Sequence, residues 1–276
     1  MNYEVLAPAG ELKAILPLID AGANAIYVGL KGHSSRPARA DLTLKEIENA
    51  VELCHANGAR LHVAINGGIA NDDFSEVKRS LSTLEKYGVD AVIISDWGML
   101  KQASQLLNTT ELHASTLLGV YNVETVRILK NMGVTRVVLS TNLFIDEIIA
   151  IMSGVPDMEY EIVADGGICY NDNRICELSH YVKESEYRVG CREAYYLNAE
   201  SNTKVSIGSK AISLSEIIQA FAELGIISYK IEGRTIHYQD IIPHTRKLSE
   251  ALKNTDIQKN VSALHYFKRT NMGDYP

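Results

Sequence analysis

The chain has 276 residues, 46% of them hydrophobic, with 27 basic and 34 acidic side chains and a formal net charge of −7. One large core or two modest domains fit that length, since single cores stop growing near roughly 250–300 residues. A net negative chain has no global basic field to hold a phosphate backbone, so nucleic acid is expected not to be a partner.

The opening stretch, "MNYEVLAPAGEL", has neither a basic leader nor a long apolar run. No segment approaches the ~18 apolar residues that span a bilayer, so no membrane span and a cytoplasmic location are expected. From there a repeat sets in. The segments "LIDAGANAIYVGL", "LCHANGARLHVAIN", "LEKYGVDAVIIS", "LKNMGVTRVVLS" and "FAELGIISYKIEG" each leave a helical pattern through a glycine and enter a short β-branched run. Gly22, Gly58, Gly88, Gly133 and Gly225 are expected just past helix ends, where φ turns positive. Between them, "TLKEIENAVELCHA" and "DFSEVKRSLSTLEKY" place apolar residues at helical spacing. Strands are expected over 4–6, 25–28, 61–65, 91–94, 111–114, 136–139, 159–163 and 228–231. Eight alternating β and α units predict an α/β fold, a closed (β/α)8 TIM-like barrel. A doubly wound open sheet is the alternative, without a G-x-G-x-x-G to favour it. The barrel domain is expected over 1–254, with a cysteine-bearing insertion, 164–227, between strands seven and eight, and a tail at 255–276.

In such barrels function sits where the strands end. That rule selects Lys31, His33, Arg36 and Arg39 after strand two, Asn66 after strand three and Asp96 after strand four. Ser115 follows strand five, Ser140 and Thr141 follow strand six, and Glu232 and Arg234 follow strand eight. Arg36, Arg39, Asn66, Ser115 and Arg234 are candidate substrate-binding residues, because guanidinium forks suit a carboxylate or phosphate. The plainer alternative is a solvated, charged loop. Lys230, Glu232, His113 and Asp96 are candidate catalytic residues. A lysine inside an apolar strand requires a partner, and a Lys230–Glu232 ion pair closing the barrel is the structural reading of "YKIEGR".

Strand seven runs into "VADGGICYNDNRIC", and "RVGCREAYY" follows. Cys169, Cys176 and Cys191 are therefore candidate metal ligands at the mouth. Their spacing is not that of paired structural zinc ligands, and soft thiolates also select copper(I) or iron–sulfur clusters. Buried thiols in a small-residue loop are the plain alternative. Cys54 lies near the end of a helix starting at Thr43, about 16 Å along it, and is expected to be a small core residue instead.

Several of these stretches together, "EVLAPAGELKA", "GANAIYVGLKG", "LHVAIN", "ELHAST", "RVVLS", "GGICYNDNRIC", "VGCRE" and "YKIEGR", occur in order over residues 3 to about 250. The chain resembles the collagenase-like peptidases, family thirty-two of the peptidases of unassigned mechanism. Within that family it is most similar to the oxygen-independent hydroxylase subunits of ubiquinone biosynthesis, through "AIYVGLK" and "LHVAIN". Other relatives hydroxylate tRNA or ribosomal RNA bases. The resemblance implies a (β/α)8 core with a 4Fe-4S cluster, and prephenate as oxygen source in several members. The family usually adds a fourth cysteine, and Tyr195 stands where a near one is expected. An open iron that binds substrate, a non-thiolate ligand such as Glu193 or His180, or a lost cluster each account for the difference, and the open iron is favoured.

The expected function is oxygen-independent hydroxylation, or related C–O chemistry, of a small carboxylate or aromatic substrate. A non-catalytic subunit paired with a paralogous protein is one alternative, the tail "VSALHYFKRTNMGDYP" being its docking segment. Peptidase chemistry is the other. No G-x-S-x-G or H-E-x-x-H occurs, and Ser115 near His113 lacks an identifiable acidic orienter.

Overall fold

The computed structural model describes residues 3–36, 38–167, 194–196, 203–206, 211–214 and 218–253. Strands β1 (Glu4–Pro8), β2 (Ala25–Gly29), β3 (Arg60–Ile65), β4 (Ala91–Ile94), β5 (Glu111–Ala114), β6 (Arg136–Val138) and β7 (Glu159–Gly167) follow one another in space as in sequence. After the short strands β8 (Ala194–Tyr196), β9 (Lys204–Ser206) and β10 (Ala211–Ser213), β11 (Ser228–Ile231) inserts between β7 and β1. With β6 also paired to β7, the eight long-range partners close into a parallel barrel. This is the expected (β/α)8 architecture.

The helices form the outer ring. They are α1 (Ile15–Asp20), α2 (Leu44–Ala56), α3 (Phe74–Tyr87), α4 (Trp97–Leu106), α5 (Val123–Asn131), α6 (Ile145–Gly154), α7 (Ile218–Glu223) and α8 (Tyr238–Lys253). Local chemistry starts and stops them. Thr43 caps α2 in a reciprocal pair with Glu46, satisfying two amides that the first turn leaves open. All five expected glycines take positive φ, from 70° at Gly58 to 105° at Gly22. The outward faces of the strands, such as Val5, Ile26, Val63 and Val92, meet buried helix residues such as Ile15, Ile47, Val51 and Leu81 in one continuous core. Cys54 belongs to it, and burial pushes its thiol up to about 12.

Apart from one- or two-residue shifts at the ends of β1, β2, β3 and β6, two details differ from the expectation. Strand β7 continues to Gly167 rather than stopping at Val163, because β10 pairs antiparallel with its end, Ala211 opposite Gly167 and Ser213 opposite Asp165. The region after β7 also forms an antiparallel β8–β9 pair. Cys169, Cys176 and Cys191, with Glu193 and His180, lie outside the described residues, as does the tail.

Candidate active site

The mouth is built where β2, β7 and β11 end. Glu232, just past β11, links all three. Its Oε1 accepts from Arg36 Nη2 at 2.6 Å and its Oε2 from the Gly167 amide at 2.9 Å. A carboxylate gripped by a guanidinium and a backbone N–H is fixed in position. Gly167 is also the last described residue before Cys169. Asp165 on β7 meets His244 of α8 at 2.9 Å on the same rim.

Beneath this rim lies a buried cluster. Arg234 Nη1 donates to Asp41 Oδ1 at 3.0 Å and to Ser34 Oγ at 3.1 Å, while Ser34 donates to the same Asp41 oxygen at 2.7 Å. Burial pushes the Asp41 carboxyl up, against the Ser34 hydrogen bond and the Arg234 charge. Burial likewise lowers the Arg234 guanidinium. Gly29 makes the cluster fit, since a Cβ there would fall on both Asp41 Oδ1 and Arg234 Nη1. Tyr27 sits below, with Lys230 Nζ 4.4 Å and Arg234 Cζ 5.7 Å from its ring centre, within cation–π range. Its hydroxyl donates to the Ile231 carbonyl at 2.9 Å, and burial raises its pKa far above the ordinary value, so it stays neutral.

Toward the N-terminal end of the strands the interior is charged. Arg136 on β6 donates to Glu4 across the barrel, to Glu159 at 3.0 Å and, more distantly, to Glu161 at 3.5 Å. Arg60 pairs with Glu111 at 2.7 Å and Glu4 at 3.3 Å, and Lys230 with Glu161 at 3.0 Å. Burial alone would lower Arg136, but Glu4 and Glu161 raise it. His62 and His113 lie in this layer, fully buried. Burial, then the neighbouring ring, pushes His62 well below its ordinary value, and burial lowers His113 against the pull of Glu111. Both rings are neutral.

The structure sorts the sequence candidates. Arg36 and Glu232 meet at the mouth. The expected Lys230–Glu232 pair does not form: Lys230 pairs with Glu161 at 3.0 Å, while both oxygens of Glu232 are taken by Arg36 and the Gly167 amide. Arg234 is 6% exposed and clamps the β2 loop rather than standing open at the rim. Arg39 lies exposed on the short turn 38–40. Asn66 Oδ1 accepts from the Ser35 amide and pins the same loop. Asp96 caps α4, accepting from the Met99 amide, and Ser115 accepts from the Leu117 amide at a turn. His113 lies deep in the interior with Glu111 as its acidic partner, at 3.0 Å. Its other nitrogen, Nδ1, has no hydrogen-bond partner, so no Ser115–His113 bond exists. Tyr27, Asp41, Glu4, Glu111 and Glu161 went unselected. The rule that a buried cation needs a partner, applied to every acid inside a strand, points to Glu4, Glu111 and Glu161.

A TIM-barrel protein with its polar rim at the C-terminal ends of the strands is thus defined. The chain belongs to peptidase family U32, whose model matches residues 10–272. It is 30% identical over 264 residues to the 23S rRNA 5-hydroxycytidine C2501 synthase of Escherichia coli, covering 91% of this chain and 40% of that protein. It is 30% identical over 211 residues to tRNA hydroxylation protein P of the same organism, covering 75% and 46%. A Porphyromonas gingivalis collagenase is 23% identical, covering 91% and 66%. The chain spans less than half the length of the first two of these relatives. Among solved structures, the U32 peptidase Mk0906 superposes with a TM-score of 0.58 at 13% identity, covering 84% of this chain and 94% of that one. The tryptophan synthase alpha chain of Legionella pneumophila gives 0.54 at 10%, covering 92% and 93%, which shows the fold alone.

These relatives overturn the expectation that nucleic acid is not a partner, for two of them are named for work on 23S rRNA and tRNA. The inference from net charge failed because it averages over the whole chain. An enzyme that works on one base needs cations only around its mouth. Among the described residues no helix is long and apolar enough to cross a membrane.

Proposed function

We propose that this barrel hydroxylates a base in RNA, working at the rim formed by Arg36, Glu232 and the cysteine-bearing segment after β7. The observation that carries this reading is the 30% identity to an rRNA hydroxycytidine synthase over 91% of the chain. A base turned out of its stack is small enough to enter a barrel mouth. Lys31, Arg36 and Arg39, on the loop after β2, would meet flanking phosphates through local charge rather than a basic surface. Arg36, anchored by Glu232, would orient an anionic group, and the buried Arg234–Asp41 cluster would keep that loop in place. The oxygen donor would be a small carboxylate of the prephenate kind.

Cys169, Cys176 and Cys191 would hold a 4Fe-4S cluster, since three soft thiolates suit one and leave an iron open. When bound, such a cluster supplies redox and Lewis-acid chemistry. Anaerobically purified protein should then be brown, with broad absorbance near ~400 nm of the kind expected of cysteine-held iron. Single Cys→Ser changes at 169, 176 or 191 should bleach it, while Cys54→Ser should not. A colourless protein with stoichiometric zinc would remove the cluster from the proposal.

The activity itself is tested by nucleoside mass spectrometry of rRNA and tRNA from cells with and without the gene. Deletion should abolish one nucleoside that is a single oxygen heavier than its parent. The wild-type gene should restore it, and Glu232→Gln or Cys169→Ser should not. An unchanged nucleoside profile in both RNA pools would overturn the reading.

A further inference from the structure

We infer that the closed end of the barrel is a binding site for a divalent transition-metal ion, with His62, His113 and Glu161 as its ligands. One ligand atom from each of these buried side chains lies within 4.8 Å of the other two. They come from alternate strands, β3, β5 and β7, whose inward residues share a layer in a barrel of this kind. Metal–ligand bonds of about 2.0–2.2 Å then require only small side-chain rotations to close on one ion.

The hydrogen bonding points to a ligand as well. His113 Nε2 faces the Glu111 carboxylate at 3.0 Å, which places the ring proton there. That leaves Nδ1 as a bare lone pair, buried and without a hydrogen-bond partner. A histidine whose far nitrogen is held by a carboxylate is the usual arrangement of a metal-bound imidazole, because it fixes the tautomer and raises ligand basicity. His62 is fully buried and neither ring nitrogen has a hydrogen-bond partner, the nearest carboxylate oxygen, Glu4 Oε2, being 3.7 Å away. Glu161 is steadied by Lys230 on Oε1 and Ser228 on Oε2, each at 3.0 Å.

The fixed charges around the site balance, with the carboxylates Glu4, Glu111 and Glu161 facing the cations Arg60, Arg136 and Lys230, so the case for an ion rests on the unpartnered imidazole nitrogens. Two imidazoles and a carboxylate select zinc, cobalt or ferrous ions over magnesium or calcium. On the intervening strands Tyr27, Ile93, Val138 and Lys230 fill the next layer toward the mouth. The ion is therefore walled off from substrate, and its role is to tie β3, β5 and β7 together.

Cobalt(II) is the probe. The full, untagged chain carrying Cys169→Ser, Cys176→Ser and Cys191→Ser, stripped with a chelator, leaves Cys54, buried in the core, as its one thiol. It should take up one cobalt per chain, with visible ligand-field bands and no sulfur charge-transfer band, and zinc should displace the cobalt and raise the melting temperature. His62→Gln should abolish both effects. Glu111→Gln, which removes the charge that holds the His113 proton and pairs with Arg60, should weaken uptake by about 10–100-fold. If His62→Gln does not fold, Glu161→Asp, which keeps the charge but shortens the reach, replaces it with the same expectation. A folded parent protein that takes up no stoichiometric cobalt, or uptake unchanged in these variants, overturns the site.

Discussion

Arg234 shows how a single side chain can be misread at the end of a strand. Its position just beyond β11 suggests an open anion site, yet it is 6% exposed and its Nη1 is taken by Asp41 and Ser34. Removing one partner of a buried ion pair leaves the other charge without compensation, which typically costs about 3–5 kcal/mol. Arg234→Ala should accordingly lower stability by that order in urea unfolding. Arg234→Lys should lose part of it, since the shorter side chain carries a more strongly hydrated ammonium into the same buried place. A full loss of activity with an unchanged melting temperature would instead return Arg234 to substrate binding. The same crowding explains Gly29, where any side chain would displace the Asp41–Arg234 contact.

Among the elements, α3 has a second task besides covering the sheet. Near its C-terminus, Glu85 accepts from the backbone amides of Asn108, Thr109 and Thr110, and so fastens the loop that leads from α4 into β5. Partial burial would raise its pKa, but the hydrogen bonds from Thr110, Asn108 and Thr109 outweigh it and hold the carboxyl at about 2. A carboxyl depressed in the folded state contributes stability above its unfolded pKa of 4.5 and loses it as pH falls toward about 2. Melting temperature followed against pH should therefore fall through that window in the wild type, with a shallower fall in Glu85→Gln. Equal slopes in the two proteins would show that the loop is held by other means. Helices and strands of this kind were legible in the sequence because their signals are local: 91–94, 111–114 and 228–231 agree residue for residue with the strands observed. The end of β7 was not legible, because Gly166 and Gly167 are strand only through pairing with β10, some 44 positions away at Gly167 and Ala211. The candidate site was legible in its rim, where Arg36 and Glu232 meet, and illegible in its interior. Glu4, Glu111 and Glu161 look like stray acids in a linear reading, and only the folded barrel brings them to Arg60 and Arg136.

At the scale of the whole molecule, the charged interior is a cross-brace. Arg136 from β6 reaches Glu4 on β1 and Glu159 and Glu161 on β7, so one guanidinium joins three strands. Arg136→Met should lower stability by about 3–5 kcal/mol, because it strands buried carboxylates. Adding Glu4→Gln should recover part of that loss, a coupling that a double-mutant cycle measures. Independent, additive effects would mean that the two side chains are not energetically linked. The closing seam has a further consequence, in time rather than in space. Strand β1 pairs with β2 on one side and with β11 on the other, Glu4 lying opposite Ser228. While the chain is being synthesised, β1 therefore waits for more than two hundred residues with one edge unpaired. Contacts of such sequence separation form late and slowly. Until β11 emerges, the open edges of β1 and β7 are templates for another chain, which makes the nascent protein more prone to association than the finished one.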